Sequence, residues 1–217
     1  DQYGELCATY YNGRPGLDLD SGEIITIRAL SDEFVGHDRM EIDIVLEADG
    51  AALITSRMYY HGTELGEFRG DFTEMLPEER RREFLDMAAS YGQSAEIQGE
   101  VTTKYEAHPG VRELTVRVPD FAVRQGEYLY MNLPGIVSGM YGAEGQTRFT
   151  PLLRDFLSRA ERRVTVTLPR GVESVAVSPA AFLSLDIPRA GHIDLMTEIL
   201  PGAGGAPSFL SVTQASR

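Results

Sequence analysis

The sequence predicts a mainly β, α+β fold: an antiparallel sheet or sandwich with one covering helix over about 77–91, and a smaller β-sandwich-like C-terminal part. Three observations predict it. Pro77 to Tyr91 is the one long stretch with helical periodicity, and the segments on both sides alternate apolar and polar residues with period two. Beyond residue 146, short apolar runs recur between prolines and glycines, as closely spaced strands do.

Taken in order, residues 1–23 are rich in Gly, Asp and Tyr, with Asn12-Gly13 and Pro15-Gly16 as turn signals, and predict an irregular lead-in. Ile24 to Ile27 makes a short strand. Ile42, Ile44 and Leu46 alternate with Glu41, Asp43 and Glu47, the mark of a half-buried strand. Asp49-Gly50 is a hairpin signal, and Leu53 to Tyr60 returns as the partner strand. Gly62 to Met75 is expected to be a polar crossover.

The helix begins with Pro77 at a position where a missing N–H costs nothing, followed by Glu78 and Glu79 at the positive end of the dipole. Phe84, Met87, Ala88 and Tyr91 make an apolar face that Leu85 and Ala89 broaden, and Gly92 is placed to stop the helix in a left-handed conformation. Residues 97–105 alternate around Gly99, a candidate bulge. His108-Pro109-Gly110 turns the chain into a strand over 113–118, and Glu127 to Leu133 makes another. The glycine-rich stretch 134–146 reads as a long loop or junction, and further strands are expected at 162–168, 172–177, 193–200 and 208–213. The implied division is a 1–23 lead-in, a 24–134 sheet-plus-helix module and a 135–217 smaller β module, or one continuous domain.

The 217 residues carry 33 acidic and 20 basic side chains, a formal charge of −13, which argues against nucleic acid and anionic membranes as partners. Lys104 is the single lysine, and the arginines form no patch. No apolar run approaches the roughly 20 residues of a membrane span, so no membrane insertion is expected. The start at Asp1, without a methionine or a signal-like segment, suggests a processed product or an excised fragment.

Candidate chemistry is sparse. Cys7 is the lone cysteine and sits in turn-rich sequence rather than at the head of a helix that would lower its pKa, so an incidental thiol is favoured over a nucleophile. His37, His61, His108 and His192 show no metal-ligand spacing and read as loop or strand-edge residues. Asp18-Leu-Asp20-Ser-Gly22-Glu23 lacks the ligand spacing of a calcium loop and is better read as a turn. Glu78, Glu79 and Glu83 with Arg80, Arg81 and Arg82 predict a solvated helix face, Glu78–Arg82 being one i,i+4 pair, or else a docking surface. Tyr59-Tyr60 and the pair Tyr128, Tyr130 read as half-buried sheet residues before sugar-stacking platforms. No catalytic, cofactor-binding or metal-binding residue is assigned, and no cofactor is expected.

From Asp18 to Leu200 the order of several short motifs resembles the β-rich region that follows the papain-like core of bacterial multidomain transglutaminase-like proteins. A hairpin strand and small polar step look like Glu47-Ala-Asp-Gly50 and Tyr60-His-Gly62. An arginine-bearing segment and a "P-E-E-R" helix are similar to Phe68-Arg69 and Leu76-Pro-Glu-Glu-Arg80. An "L-P" step resembles Leu133-Pro134. The final segment is similar to Arg148-Phe-Thr-Pro151-Leu152 followed by Val164 to Leu168-Pro169-Arg-Gly171. The order of these motifs carries the likeness. The resemblance implies a noncatalytic accessory domain in a protein exported to the periplasm or cell surface. Its partner would be a transglutaminase-like core upstream in the same polypeptide, or a protein or cell-envelope glycan. The core's catalytic residues have no counterpart in this chain. The alternative reading is a carbohydrate-binding or adhesin-like β module.

Overall fold

The computed structural model describes residues 13–27, 36–134, 158–177, 183–187, 191–201 and 207–216. The described residues are mainly β, with two helices among them. Its centre is a nine-stranded mixed sheet in the order β11-β12-β13-β10-β3-β4-β7-β5, with β6 also on β7. In chain order these strands are β3 (Gly36–Leu46), β4 (Ala52–Tyr60), β5 (Glu96–Ile97), β6 (Thr102–Lys104), β7 (Gly110–Val118), β10 (Ser158–Thr167), β11 (Leu183–Ile187), β12 (Gly191–Pro201) and β13 (Pro207–Ser216). Two ribbons stand apart from it: β1 (Pro15–Leu17) with β2 (Ile24–Thr26), and β8 (Val123–Gln125) with β9 (Tyr128–Tyr130).

Alternation decides the faces. The register aligns Ile42 with Ser56 and Val164, Ile44 with Ile54 and Val166, and Ile54 with Val116. All of these are buried, as are Leu210 and Val212 on β13. This inner face is covered by Met87 and Ala88 of the second helix and Tyr91 just beyond it, by Leu129, Met131 and Leu133, and by Val175 and Val177. The odd-numbered residues of β3, β4 and β7, and those of β10 from Glu161 onward, form the other face and are half-buried or exposed.

The β3–β4 hairpin forms where Asp49-Gly50 predicts it. Its last ladder pair is Leu46–Ala52, and a Glu47–Ala51 backbone bond closes a three-residue loop. Gly50 is required there: its φ is 99°, and a Cβ would lie 2.4 Å from the Ala122 carbonyl oxygen. The strand signal at 97–105 resolves into β5 and β6, interrupted at Gly99 with φ 75°.

Several expectations are corrected. The stretch 62–75 is not a polar crossover but a helix, α1 (Gly62–Glu74), so two helices cover the sheet rather than one. Leu65, Phe68 and Phe72 recur at helical spacing and pack on Tyr60, Phe84 and Tyr105 as a second small core. Gly110 at the head of β7 permits this approach, since a Cβ there would sit 2.5 Å from Leu65 Cδ1. The expected helix is α2 (Pro77–Ala89), with Glu79 accepting the Leu76 N–H at its start. It ends on Ser90 in ordinary right-handed geometry. Gly92 is not left-handed; it lies where a Cβ would meet Val118 Cγ1 at 2.8 Å. Leu85 and Ala89 do not broaden the buried face but are exposed.

The lead-in is not wholly irregular, because β1 pairs with β2. Residues 172–177 form no strand; Val175 and Val177 pack on the core without entering the ladder. The C-terminal strands make no sandwich layer. They extend the same sheet, because β10 runs parallel to β3 from Ser158–Gly36 to Thr167–Val45 and antiparallel to β13.

Candidate functional site

The outer face of the sheet is two surfaces side by side. Across its middle run charge ladders: Arg57 donates to Asp43 at 2.7 Å and to Glu113 at 2.5 Å, and Arg39 donates to Glu41 at 2.5 Å. Tyr59 donates to Glu41 at 2.9 Å, and Thr55 and Thr115 meet across the strands at 3.1 Å. The guanidinium of Arg39 and the Tyr59 hydroxyl oppose the burial that would raise the Glu41 carboxyl, and it ends below its ordinary value. Toward the Asp49-Gly50 end the ladder gives way to an apolar row. Leu200 pairs with Phe209, Phe209 with Thr167, Thr167 with Val45, and Val45 with Leu53, crossing five adjacent strands. The four hydrophobes of the row are 37–46% exposed. Arg117, anchored to Glu47 at 3.0 Å, closes the row beyond Leu53.

Sequence inspection passes over this row. Its signal was present as failed alternation: Val45 stands between Ile44 and Leu46, Leu53 between Ala52 and Ile54, and Phe209 beside Leu210. In each run the neighbouring residues face the core and the odd one faces out.

A second exposed patch is carried by the β8–β9 ribbon. Leu129 turns inward onto the core. Tyr128 and Tyr130 turn outward at 67% and 54% exposure, their ring centroids 6.2 Å apart, with Val123 paired to Tyr130 and equally open. These tyrosines are strand residues as expected, but exposed rather than half-buried. Tyr59 and Tyr60 keep the sheet role. Arg39 lies over the first ring, and Arg112 and Phe68 against the second.

The histidines are where spacing misleads most. His37 at the start of β3, His61 at the N-cap of α1 and His108 before β7 meet at one end of the sheet. His37 and His61 stack at 5.0 Å, and His61 meets His108 edge-on at 5.3 Å. The ring nitrogen Nε2 of His61 is buried without a hydrogen bond, and its pKa is lowered to about 4, chiefly by burial and then by His37, His108 and Arg39. His37 Nε2 lies 3.7 Å from Glu161 Oε2. The His37 and His61 imidazoles lie face to face rather than converging, and among the described residues no group of three or more His, Cys, Asp or Glu side chains is placed to hold a metal ion. His192 stands elsewhere, between Asp186 at 2.5 Å and Asp194 at 2.7 Å, hydrogen bonds that raise its pKa.

The Asp18 segment is the β1–β2 turn: Asp18 accepts the Asp20 N–H at 2.9 Å, and that bond lowers its pKa. The expected Glu78–Arg82 pair does not form. Glu79 is drawn to the helix start, and Arg80 reaches the Phe72 carbonyl at 2.5 Å. Cys7 and nearly all of 134–146 lie outside the described residues. No helix among the described residues is long and apolar enough to cross a membrane. Comparison with protein-family profiles, curated proteins and solved structures returns no match.

Proposed function

We propose that this chain is a noncatalytic accessory domain whose outer sheet face packs against a protein partner. The partner we favour is a transglutaminase-like catalytic core of the same polypeptide, in the periplasm or at the cell surface. One observation carries the packing role: the row Leu200–Phe209–Val45–Leu53 leaves hydrophobes open to water across five strands, while the opposite face of the same sheet is covered. Contiguous apolar surface with a polar border is what a protein interface presents. The adjoining Asp43–Arg57–Glu113 ladder would fix orientation more than affinity. The identity of the partner is supported by the motif order from Glu47 to Gly171.

The test is binding in trans between this chain and the separately expressed polypeptide encoded just before it. Val45→Glu and Phe209→Glu should each weaken the complex by about tenfold or more while leaving the thermal melt in place. Unchanged binding in both variants would exclude the row as the interface. Thiol-dependent amide hydrolysis or transfer by the isolated chain, lost in Cys7→Ala, would overturn the noncatalytic reading.

A second reading, a carbohydrate-binding module, is favoured by the exposed pair Tyr128 and Tyr130 alone. Rigid aromatic faces beside the polar Gln125 suit a glycan that stacks through its C–H face. Saturable binding of cell-wall fragments, lost in Tyr128→Ala or Tyr130→Ala, would select it.

A further inference from the structure

The sheet's inner side carries a feature that the packing role leaves unused. A groove of about 350 Å³ opens between α2 and the edge segment that joins β5 to β6. Phe84, Leu85, Ile97 and Val101 line it with apolar surface, and Arg80 and Arg81 stand in its α2 wall. Arg80, Phe84, Arg81 and Leu85 fall on one stripe of α2, at the i, i+4 and i+1, i+5 positions that share a face, and Pro77 lies at its N-terminal end.

Charge marks this groove out in a chain of net −13. On the sheet's outer face the described arginine side chains are paired, Arg39 with Glu41, Arg57 with Asp43 and Glu113, Arg117 with Glu47, Arg163 with Glu161, while on the inner face Arg162 lies 3.9 Å from Asp38 and Arg112 lies over the Tyr60 ring. Arg80 and Arg81 have no carboxylate partner among the described residues. Arg80 gives one N–H to the Phe72 carbonyl, and its Nε is buried with no acceptor. Buried guanidinium donors are seldom left unsatisfied, and their fork matches a carboxylate. Beside them, Leu85 is 52% exposed on a helix whose larger apolar residues are otherwise half-covered. β5 and β6 pair only with β7 among the described strands, so this is also a sheet edge with main-chain groups turned outward. Gly99, at φ 75° with nothing within 4 Å of the point a Cβ would occupy, leaves the rim open.

We propose that this groove binds an extended acidic segment of a partner protein, with an aliphatic or aromatic side chain on Phe84 and Leu85 and the neighbouring Asp or Glu carboxylate on Arg80 and Arg81. Strand addition at the β5–β6 edge supplies the main-chain contacts, and the groove supplies the choice of side chain. The site is separate from the outer face and does not depend on its role.

The probes are fluorescein-labelled, end-capped nine-residue peptides with a central Leu-Asp, Phe-Asp or Phe-Glu, titrated into the whole chain by fluorescence polarisation. Otherwise identical peptides with Asn or Gln in place of the acid are the controls. At least one acidic peptide should saturate, with the neutral control about tenfold weaker or more, and binding should weaken as salt is raised. Arg81→Gln and Leu85→Glu are substitutions at exposed positions and should each weaken binding about tenfold with the melt unchanged, whereas Arg82→Gln, outside the groove, should bind like the parent. Failure of every acidic peptide to saturate, equal binding of the neutral controls, or indifference to both Arg81→Gln and Leu85→Glu would overturn the proposal. Val45→Glu should leave peptide binding intact, so failure here and failure of the outer-face interface are told apart.

Discussion

His61 shows how much one side chain's surroundings can decide. It caps α1 without any side-chain hydrogen bond, at the end of a helix whose dipole already disfavours a cation there. Burial, His37, His108 and Arg39 all oppose its protonation, so the folded pKa falls to about 4 from an ordinary value near 6.5. Asp38, Glu64, Glu161 and Arg162 also lie around this end of the sheet. Between those two pH values the unfolded chain takes up a proton that the folded chain refuses, and acidification therefore favours unfolding. The penalty is absent above pH 7 and complete below pH 4, and solvent screening of a partly exposed ring reduces it to about 1–2 kcal/mol. His61→Asn removes the titrating ring and supplies a side chain suited to an N-cap. Chemical denaturation from pH 7.5 to 4.5 should show a shallower loss of stability in His61→Asn than in the parent. Parallel curves would show that His61 is not the group responsible. Nothing in the sequence points to this cluster, since the three histidines lie far apart and are joined only by the β3–β4–β7 register and the start of α1.

At the scale of elements, α2 was legible because its signals agree: proline at the first position, acidic residues in the first turn, and apolar residues at i, i+3 and i+4. α1 was hidden for a physical reason. Its apolar set is only Leu65, Phe68 and Phe72, diluted by Gly62, Gly66 and Gly70, each a poor helix former. Tertiary packing therefore has to hold α1. Phe68 stacks on Tyr60 with centroids 4.0 Å apart and meets Phe72 at 4.9 Å, while Phe72 stacks on Phe84 of α2 at 5.8 Å. Phe68→Ala should accordingly cost about 3–5 kcal/mol and selectively raise amide exchange across Gly62–Glu74. Exchange in α1 no faster than in the parent would mean that the helix stands on its own propensity. A comparable mixing of signals explains the outer row: adjacent hydrophobes in one short run belong to opposite faces, and only the ladder shows which.

For the whole molecule, periodicity told where strands are but not which strands pair. The local hairpin β3–β4 was readable from Asp49-Gly50. The joining of β10 to β3 was not, because a parallel pairing across more than a hundred residues leaves no turn signal to read. That pairing makes Val164 and Val166 shared property. Each is buried to within 1% of full cover, lying between Ile42 or Ile44 on one side and Val212 or Leu210 on the other. A core continuous across this seam couples the strands on its two sides, so the chain should melt as one unit. Val166→Ala should cost about 2 kcal/mol and lower exchange protection equally in β4, well N-terminal of the seam, and in β12, beyond β13. If β12 and β13 lost protection while β3, β4 and β7 kept theirs, the two halves would be energetically separate despite sharing a sheet, and the outer apolar row, which depends on both, would not persist as a single binding surface.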